Sequence, residues 1–299
     1  MYWTPSLEST FHSPISLSNS SFILNEADED GGAMRLEIDD SQIIALPWNA
    51  YLDGNLFEEN QAANGGVISS SNVQFDLNNT VKPNIFLHNR AQQGAVFHMN
   101  TITNKLVSTG RQLFLGNRAT VAGGIIFYEI LTSMTKKPDP GAICTKSECA
   151  NNTAEIWGSL SATQSLDLTA YSPSNLNQTL SRMTFYPGID QIVVIKATDQ
   201  FEQELEINPD SLRIQAQLRP LGLPWDGHVA LKTIRLVDKY TTLQLTMELT
   251  GLPAHLPQAI PAVIVFLPIL DTRITNGSDA KIFATIQECG AGYGQDPHD

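Results

Sequence analysis

Few side chains in this chain have the type and spacing to do chemistry. Carboxylates gather at Glu26, Asp28, Glu29 and Asp30 and again at Asp39-Asp40. Several carboxylate oxygens held together suit a hard cation such as calcium, but this spacing matches no known loop geometry such as the EF-hand pattern. A solvated acidic loop accounts for them, and no metal is assigned. Acid–base cleavage of glycosidic bonds needs paired carboxylates about 5–10 Å apart. Asp39-Asp40 offers adjacent carboxylates, but no acidic pair follows one period later near residues 68–75, and no Arg or Lys stands opposite in register. Gly-x-Ser-x-Gly, His-Glu-x-x-His, phosphate loops and Cys-x-x-Cys are absent from the sequence, so no catalytic residue and no cofactor is assigned.

The elements that must carry any site are set by a stretch that occurs four times. Its copies read Phe22-x-x-Asn25-x-Ala27 then Gly31-Gly32, Phe57-x-x-Asn60-x-Ala62 then Gly65-Gly66, Phe86-x-x-Asn89-x-Ala91 then Gly94-Ala95, and Phe114-x-x-Asn117-x-Ala119 then Gly123-Gly124. The phenylalanines are 35, 29 and 28 residues apart, and each Gly pair leads into a short apolar run. Repeats of this length with their own strand signal mark a stacked, quasi-one-dimensional fold. No 3.6-residue period joins the copies, which argues against helical repeats. Each copy instead suits one coil of a right-handed parallel β-helix. Phe would stack in the interior, Asn would turn a corner and bond along the axis to the next Asn, Ala would keep that corner thin, and the glycines would supply positive φ or close backbone approach. His88 and His98 each lie one residue from a stack position and read as solvated. Asn49–Gly54, Asn78–Asn84 and Asn100–Gly110 read as variable corners, and Asn152-x-Ala154-x-x-Trp157-Gly158 as a degenerate last coil.

The Phe-x-x-Asn and Gly-Gly-Ala-Ile pairs resemble the repeats of chlamydial polymorphic membrane proteins and of very large extracellular proteins of protists and algae, over roughly residues 15 to 170. Gly31-Gly32-Ala33-Met34 is nearest to that form, while Gly94-Ala95-Val96-Phe97 lacks the second Gly. The resemblance implies a surface-displayed or secreted β-helix used as an adhesive surface or structural stalk, with no catalytic residues to carry over.

The chain has 299 residues, 42% hydrophobic and 16% charged, which leaves room for two folded domains. Its net charge of -13, from 18 basic against 31 acidic residues, argues against nucleic acid or an anionic membrane as partner. The strongest apolar run, Ile260 to Leu270, holds Pro261 and Pro268 and reads as a strand pair, so direct membrane insertion is not expected. The N-terminus lacks a secretory signal. Ile15-Ser16-Leu17-Ser18-Asn19-Ser20 reads as the strand of a coil already in progress, with no capping helix before it, which suggests a segment of a longer protein. Domain assignments are residues 1–170 for the β-helix, 171–185 for a polar linker, and 186–287 for a β-sandwich of short strands separated by Pro and Gly. The order of motifs in the sandwich resembles the immunoglobulin-like modules that follow such β-helices. Residues 288–299 would begin a cysteine-rich segment or tail, since Cys289-Gly290-Ala291-Gly292-Tyr293 resembles the entry to a growth-factor-like repeat. If so, Cys289 pairs outside this chain and Cys144 pairs with Cys149; the alternative is three idle thiols in a reducing compartment.

Asn-x-Ser/Thr acceptors occur at Asn19, Asn78, Asn151, Asn177 and Asn276, the last four in expected loops or linkers where a glycan disturbs no strand. The expected function is a non-catalytic extracellular structural or adhesive surface segment that meets a protein or glycan at a cell surface. The alternative is a carbohydrate-active enzyme, a polysaccharide lyase or glycosidase, of the β-helix class.

Overall fold

The computed structural model describes residues 2–3, 14–37, 48–78, 82–100, 105–108, 110–129, 139, 141–164, 166–185, 191–205, 212–221, 228–236, 242–250, 259–270, 273–274 and 280–287. Among these the fold is all-β, with one 3-10 turn at Ala142–Cys144 and no α-helix. The chain divides into two compact units, residues 1–165 with 199–203, and residues 166–198 with 204–299.

In the first unit the chain visits four sheets in the same order in the Phe22, Phe57 and Phe86 repeats and the first three of them again in the Phe114 repeat, and every pairing within them is parallel. The phenylalanine sheet stacks Ser21–Ile23, Leu56–Glu58, Ile85–Leu87, Leu113–Leu115 and Glu148–Ala150. A short sheet follows from Arg90–Gln93, Arg118–Ala122 and Thr153–Ala154, and Glu26 and Gln61 extend it as single bridges. After the glycine corner comes a sheet of six strands, Tyr2–Trp3, Met34–Glu37, Ile68–Ser71, Phe97–Met99, Ile126–Tyr128 and Ser161–Thr163. The fourth sheet is Ile15–Ser18, Trp48–Asp53, Val73–Asn78 and Lys105–Ser108. Trp48–Asp53 and Lys105–Ser108 therefore correct the reading of Asn49–Gly54 and Asn100–Gly110 as corners. Phe75 and Leu77, alternating with polar residues and wholly buried, carry this sheet's inward face.

Register makes like meet like. Phe22 lies on Phe57 at 5.2 Å between ring centroids, Phe57 on Phe86 at 5.0 Å, and Phe86 on Phe114 at 4.8 Å, all stacked and nearly parallel. In the fifth coil Cys149 pairs with Phe114 and takes the ring's place. The corner asparagines form a continuous amide ladder. Asn60 donates its backbone N–H and Nδ2 to Asn89 Oδ1, sends Nδ2 back to Phe22 O, and accepts from Asn25 N and Nδ2. Asn89, Asn117 and Asn152 continue the pattern. A second ladder, unmarked in the repeat pattern, runs through Asn55, Asn84 and Gln112 at the entry to the phenylalanine sheet. Each bond contributes about 1 kcal/mol net, whereas one left unmade in the interior costs about 1–3 kcal/mol.

The two glycines of the corner have different jobs. Gly65 sits at φ +62, where a side chain would strike the backbone of Ile68. Gly66 has ordinary φ, but a β-carbon there would press into the carbonyls of Ala95 and Arg90 on the next coil. Ala95 occupies the equivalent place in the third copy and is fully buried, so Ala is tolerated there. At the far edge Asp199–Gln203, part of the same unit, cover Ser161–Thr163. Thr163 N donates to Asp199 Oδ2 (3.3 Å), Gln200 N to Thr163 Oγ1 (2.9 Å) and Gln203 Nε2 to Ser161 O (2.9 Å), which occupies groups an open edge would expose.

The second unit has two sheets. One orders Asn175–Thr179, Leu166–Ser172, Gln191–Asp199, Thr242–Thr250 and His228–Leu236; the other orders Arg182–Phe185, Ala280–Gln287, Ala259–Leu270 and Leu212–Pro220. Residues 171–185, read as linker, thus lie in strands of this unit apart from their turns, and the unit begins at Leu166. Ala259–Leu270 is one continuous strand, correcting the expected strand pair. Pro261 still takes part through its carbonyl, which accepts from Leu221 N at 2.8 Å.

Truncating a ring in the middle of the stack leaves a void that neighbours on both sides cannot fill. Phe86→Ala should lower the unfolding free energy by about 3–5 kcal/mol, whereas Phe283→Ala, 57% exposed, should stay within about 0.5 kcal/mol, as read from urea denaturation.

Candidate functional site

The interior is filled, so functional chemistry belongs on the outer face. After each phenylalanine strand the chain enters the left-handed region at Leu24, Glu59, His88, Gly116 and Asn151, with φ of 55, 52, 53, 66 and 57. That turn sends the next residue, Asn, inward to the ladder and leaves the turning residue outside. Two residues further on, Glu26, Gln61, Arg90, Arg118 and Thr153 pair in register along the short sheet. The two columns bound a groove lined by Leu24, Glu59, Gln61, His88, Arg90, Gly116 and Arg118. The His88 ring lies over Gly116, where a β-carbon would collide with its Nδ1. Arg118 pairs with Glu155 at 2.6 Å, while among the described residues Arg90 has no carboxylate within ion-pair distance. A shallower depression continues across the same sheet past Asp28, Gln92 and Thr120.

The acidic corner does not converge. Glu26 and Asp28 line that depression, while Asp30 turns to Arg35 (3.2 Å) and accepts from Asn64 Nδ2 (3.0 Å). Among the described residues no group of three His, Cys, Asp or Glu could hold a metal ion. Asp39-Asp40 lies outside the described residues.

A second cluster sits on the outer side of the six-stranded sheet. Arg35, Ser69, His98 and Phe127 occupy one register row, and His98 stacks on Phe127 at 5.6 Å. His98 is 5% exposed, which corrects its reading as solvated; His88 is the exposed one. Burial pulls the His98 pKa down to about 4, opposed by Asp30. Glu129 is raised, by burial first and Asp30 second. Side-chain atoms His98 Nδ1, Glu129 Oε2, Trp157 Nε1 and Gln164 Oε1 are buried without a hydrogen-bond partner. Sequence reading passed over Glu129 and Gln164 and took Trp157 only as part of the degenerate last coil, because a single carboxylate and a single amide in successive coils carry no motif until register aligns them.

Cys144 and Cys149 form a disulfide, with α-carbons 5.7 Å apart, and both pack against the core. Asn19 and Asn151 are exposed bends with positive φ. Asn177 lies in an exposed strand, Asn175–Thr179, and Asn78 ends the strand Val73–Asn78, which corrects the placing of both in loops or linkers. Asn276 and Cys289 lie outside the described residues. No described helix is long and apolar enough to cross a membrane. Compared with protein-family models, curated proteins and solved structures, the chain matches none.

The buried imidazole gives a pH test. The unfolded chain takes up the His98 proton near 6.5 and the folded chain near 4, so this group's effect on stability is nil above about pH 7 and grows unfavourable as pH falls through 6.5 toward 4. The expected loss is about 3 kcal/mol over that window. Denaturation curves at pH 7.5 and 4.5 should converge for His98→Phe, which keeps the ring on Phe127 and removes the titration.

Proposed function

We propose that the first unit is a right-handed parallel β-helix, the second an immunoglobulin-like β-sandwich, and the whole a non-catalytic extracellular segment that serves as a stalk or adhesive surface within a longer secreted or membrane-anchored protein. The observation that carries this reading is the in-register stack of four rings and an unbroken amide ladder, which builds a stiff rod and leaves only its outer face to meet a partner. The phenylalanine–asparagine repeat resembling polymorphic membrane proteins agrees with it. The Cys144–Cys149 bridge suits an oxidising compartment, and exposed acceptors at Asn19, Asn151 and Asn177 suit glycosylation.

Mass spectrometry of the native protein, with and without reductant and glycosidase, tests the localisation. A bridged pair and glycan on at least one exposed acceptor are expected. Free thiols at both cysteines together with five unmodified acceptors would place the protein inside the cell and remove the adhesive reading.

One observation favours the second reading, a carbohydrate-active enzyme of the β-helix class. Glu129, whose backbone N–H donates to Met99 O, lies one step along from the His98 row, and burial keeps its carboxyl toward the neutral form and the imidazole neutral, the two kinds of group acid–base cleavage uses. A panel of polysaccharides incubated with wild type and Glu129→Gln decides it. The non-catalytic reading expects no cleavage by either; cleavage by wild type that is lost in the variant would replace it.

A further inference from the structure

We propose that the groove along the short sheet binds the acidic groups of an extended anionic polysaccharide lying parallel to the stacking axis, with Arg90 and Arg118 as its charged contacts. This rests on the adhesive reading and names the ligand that reading leaves open.

Arg90 and Arg118 are directly opposed in adjacent parallel strands. Like charges so placed destabilise a sheet unless something offsets them. Glu155 offsets Arg118; among the described residues no carboxylate offsets Arg90, although the chain carries 31 acidic residues. Coils repeat about every 4.8 Å, so a polymer lying along the axis with regularly spaced acidic groups can set one against Arg90 and the next beside Arg118, which shares its guanidinium with Glu155. The neighbours suit sugar. Gln61, Gln92 and Thr120 point outward beside the arginines with amide and hydroxyl groups, and Leu24, 70% exposed, adds an apolar surface at the groove's end. Guanidinium groups bind carboxylate or sulfate in bidentate fashion. Nucleic acid fits poorly, because a duplex needs a broad basic footprint and Glu26, Asp28 and Glu59 line the two coils that precede Arg90.

The full chain is immobilised and its affinity measured for polygalacturonate, heparin, neutral dextran and duplex DNA at 50 and 150 mM salt. Binding is expected to polygalacturonate or heparin, weakening with salt, and not to dextran; which of the two binds separates a carboxylate ligand from a sulfate one. Arg90→Gln with Arg118→Gln should weaken it about tenfold or more with an unchanged circular-dichroism melt. Should the double variant fold poorly, Gln61→Glu supplies the second arm, since a carboxylate placed in register with Arg90 should occupy its guanidinium and weaken binding likewise. No binding to either acidic polysaccharide, equal binding by the variants, or DNA bound as tightly would overturn the proposal. Those outcomes remove this ligand while a bridged, glycosylated native protein keeps the surface role; free thiols and bare acceptors remove that role whatever the groove binds.

Discussion

Self-complementarity at one coil spacing is the constraint on which the first unit depends. Whatever faces inward in one repeat must accept its own counterpart about 4.8 Å above and below. Flat aromatic rings satisfy this by lying on one another, at 4.8–5.2 Å between centroids in the four copies. An asparagine satisfies it because its amide has donors on one side and an acceptor on the other, so each copy uses what its neighbour offers. Buried alone, the same amide would be a liability of about 1–3 kcal/mol; in a ladder it fixes the register, because a slip of one residue would orphan every member at once. The disulfide fits the same logic. Where the column ends, Cys149 takes the ring's place opposite Phe114 and is tied to Cys144 on the adjoining turn.

That constraint divides the surface from the core more sharply than in a globular domain. Inward positions are fixed by their neighbours along the axis, while the left-handed corner residues Leu24, Glu59, His88, Gly116 and Asn151 share one backbone conformation and no side-chain chemistry. The row beside them runs from Glu26 through Gln61 to Arg90 and Arg118. Such variation on an invariant frame lets a stacked fold change what it recognises without changing how it stands.

The outer side of the six-stranded sheet departs from this division. There His98 and Phe127 are buried although they face away from the phenylalanine column, and His98 Nδ1, Glu129 Oε2 and Gln164 Oε1 lack hydrogen-bond partners, as does Trp157 Nε1 in the row that continues Ala122. Desolvation dominates both shifted groups, holding the imidazole neutral and disfavouring the ionised carboxylate.

The sequence by itself determined the repeated corner. Phe, Asn, Ala and Gly at fixed offsets each have one physical use there, so the ring column, the first amide ladder and the glycine at positive φ were legible in Phe57, Asn60 and Gly65 without coordinates. The fourth sheet was not, because Trp48–Asp53 and Lys105–Ser108 lie in the stretches whose length changes between copies and lack the marker residues. Nor was the second ladder, whose members Asn55, Asn84 and Gln112 differ in type and offset. Tertiary structure alone decided which outward residues meet. Arg90 and Arg118 are 28 residues apart, and His98 and Glu129 lie in different coils; only the parallel register, set by interior stacking, brings each pair to one face. Burial decided the rest, since whether a histidine one step from the stack is solvated, as His88 is, or desolvated, as His98 is, depends on what covers it and not on its neighbours in the chain.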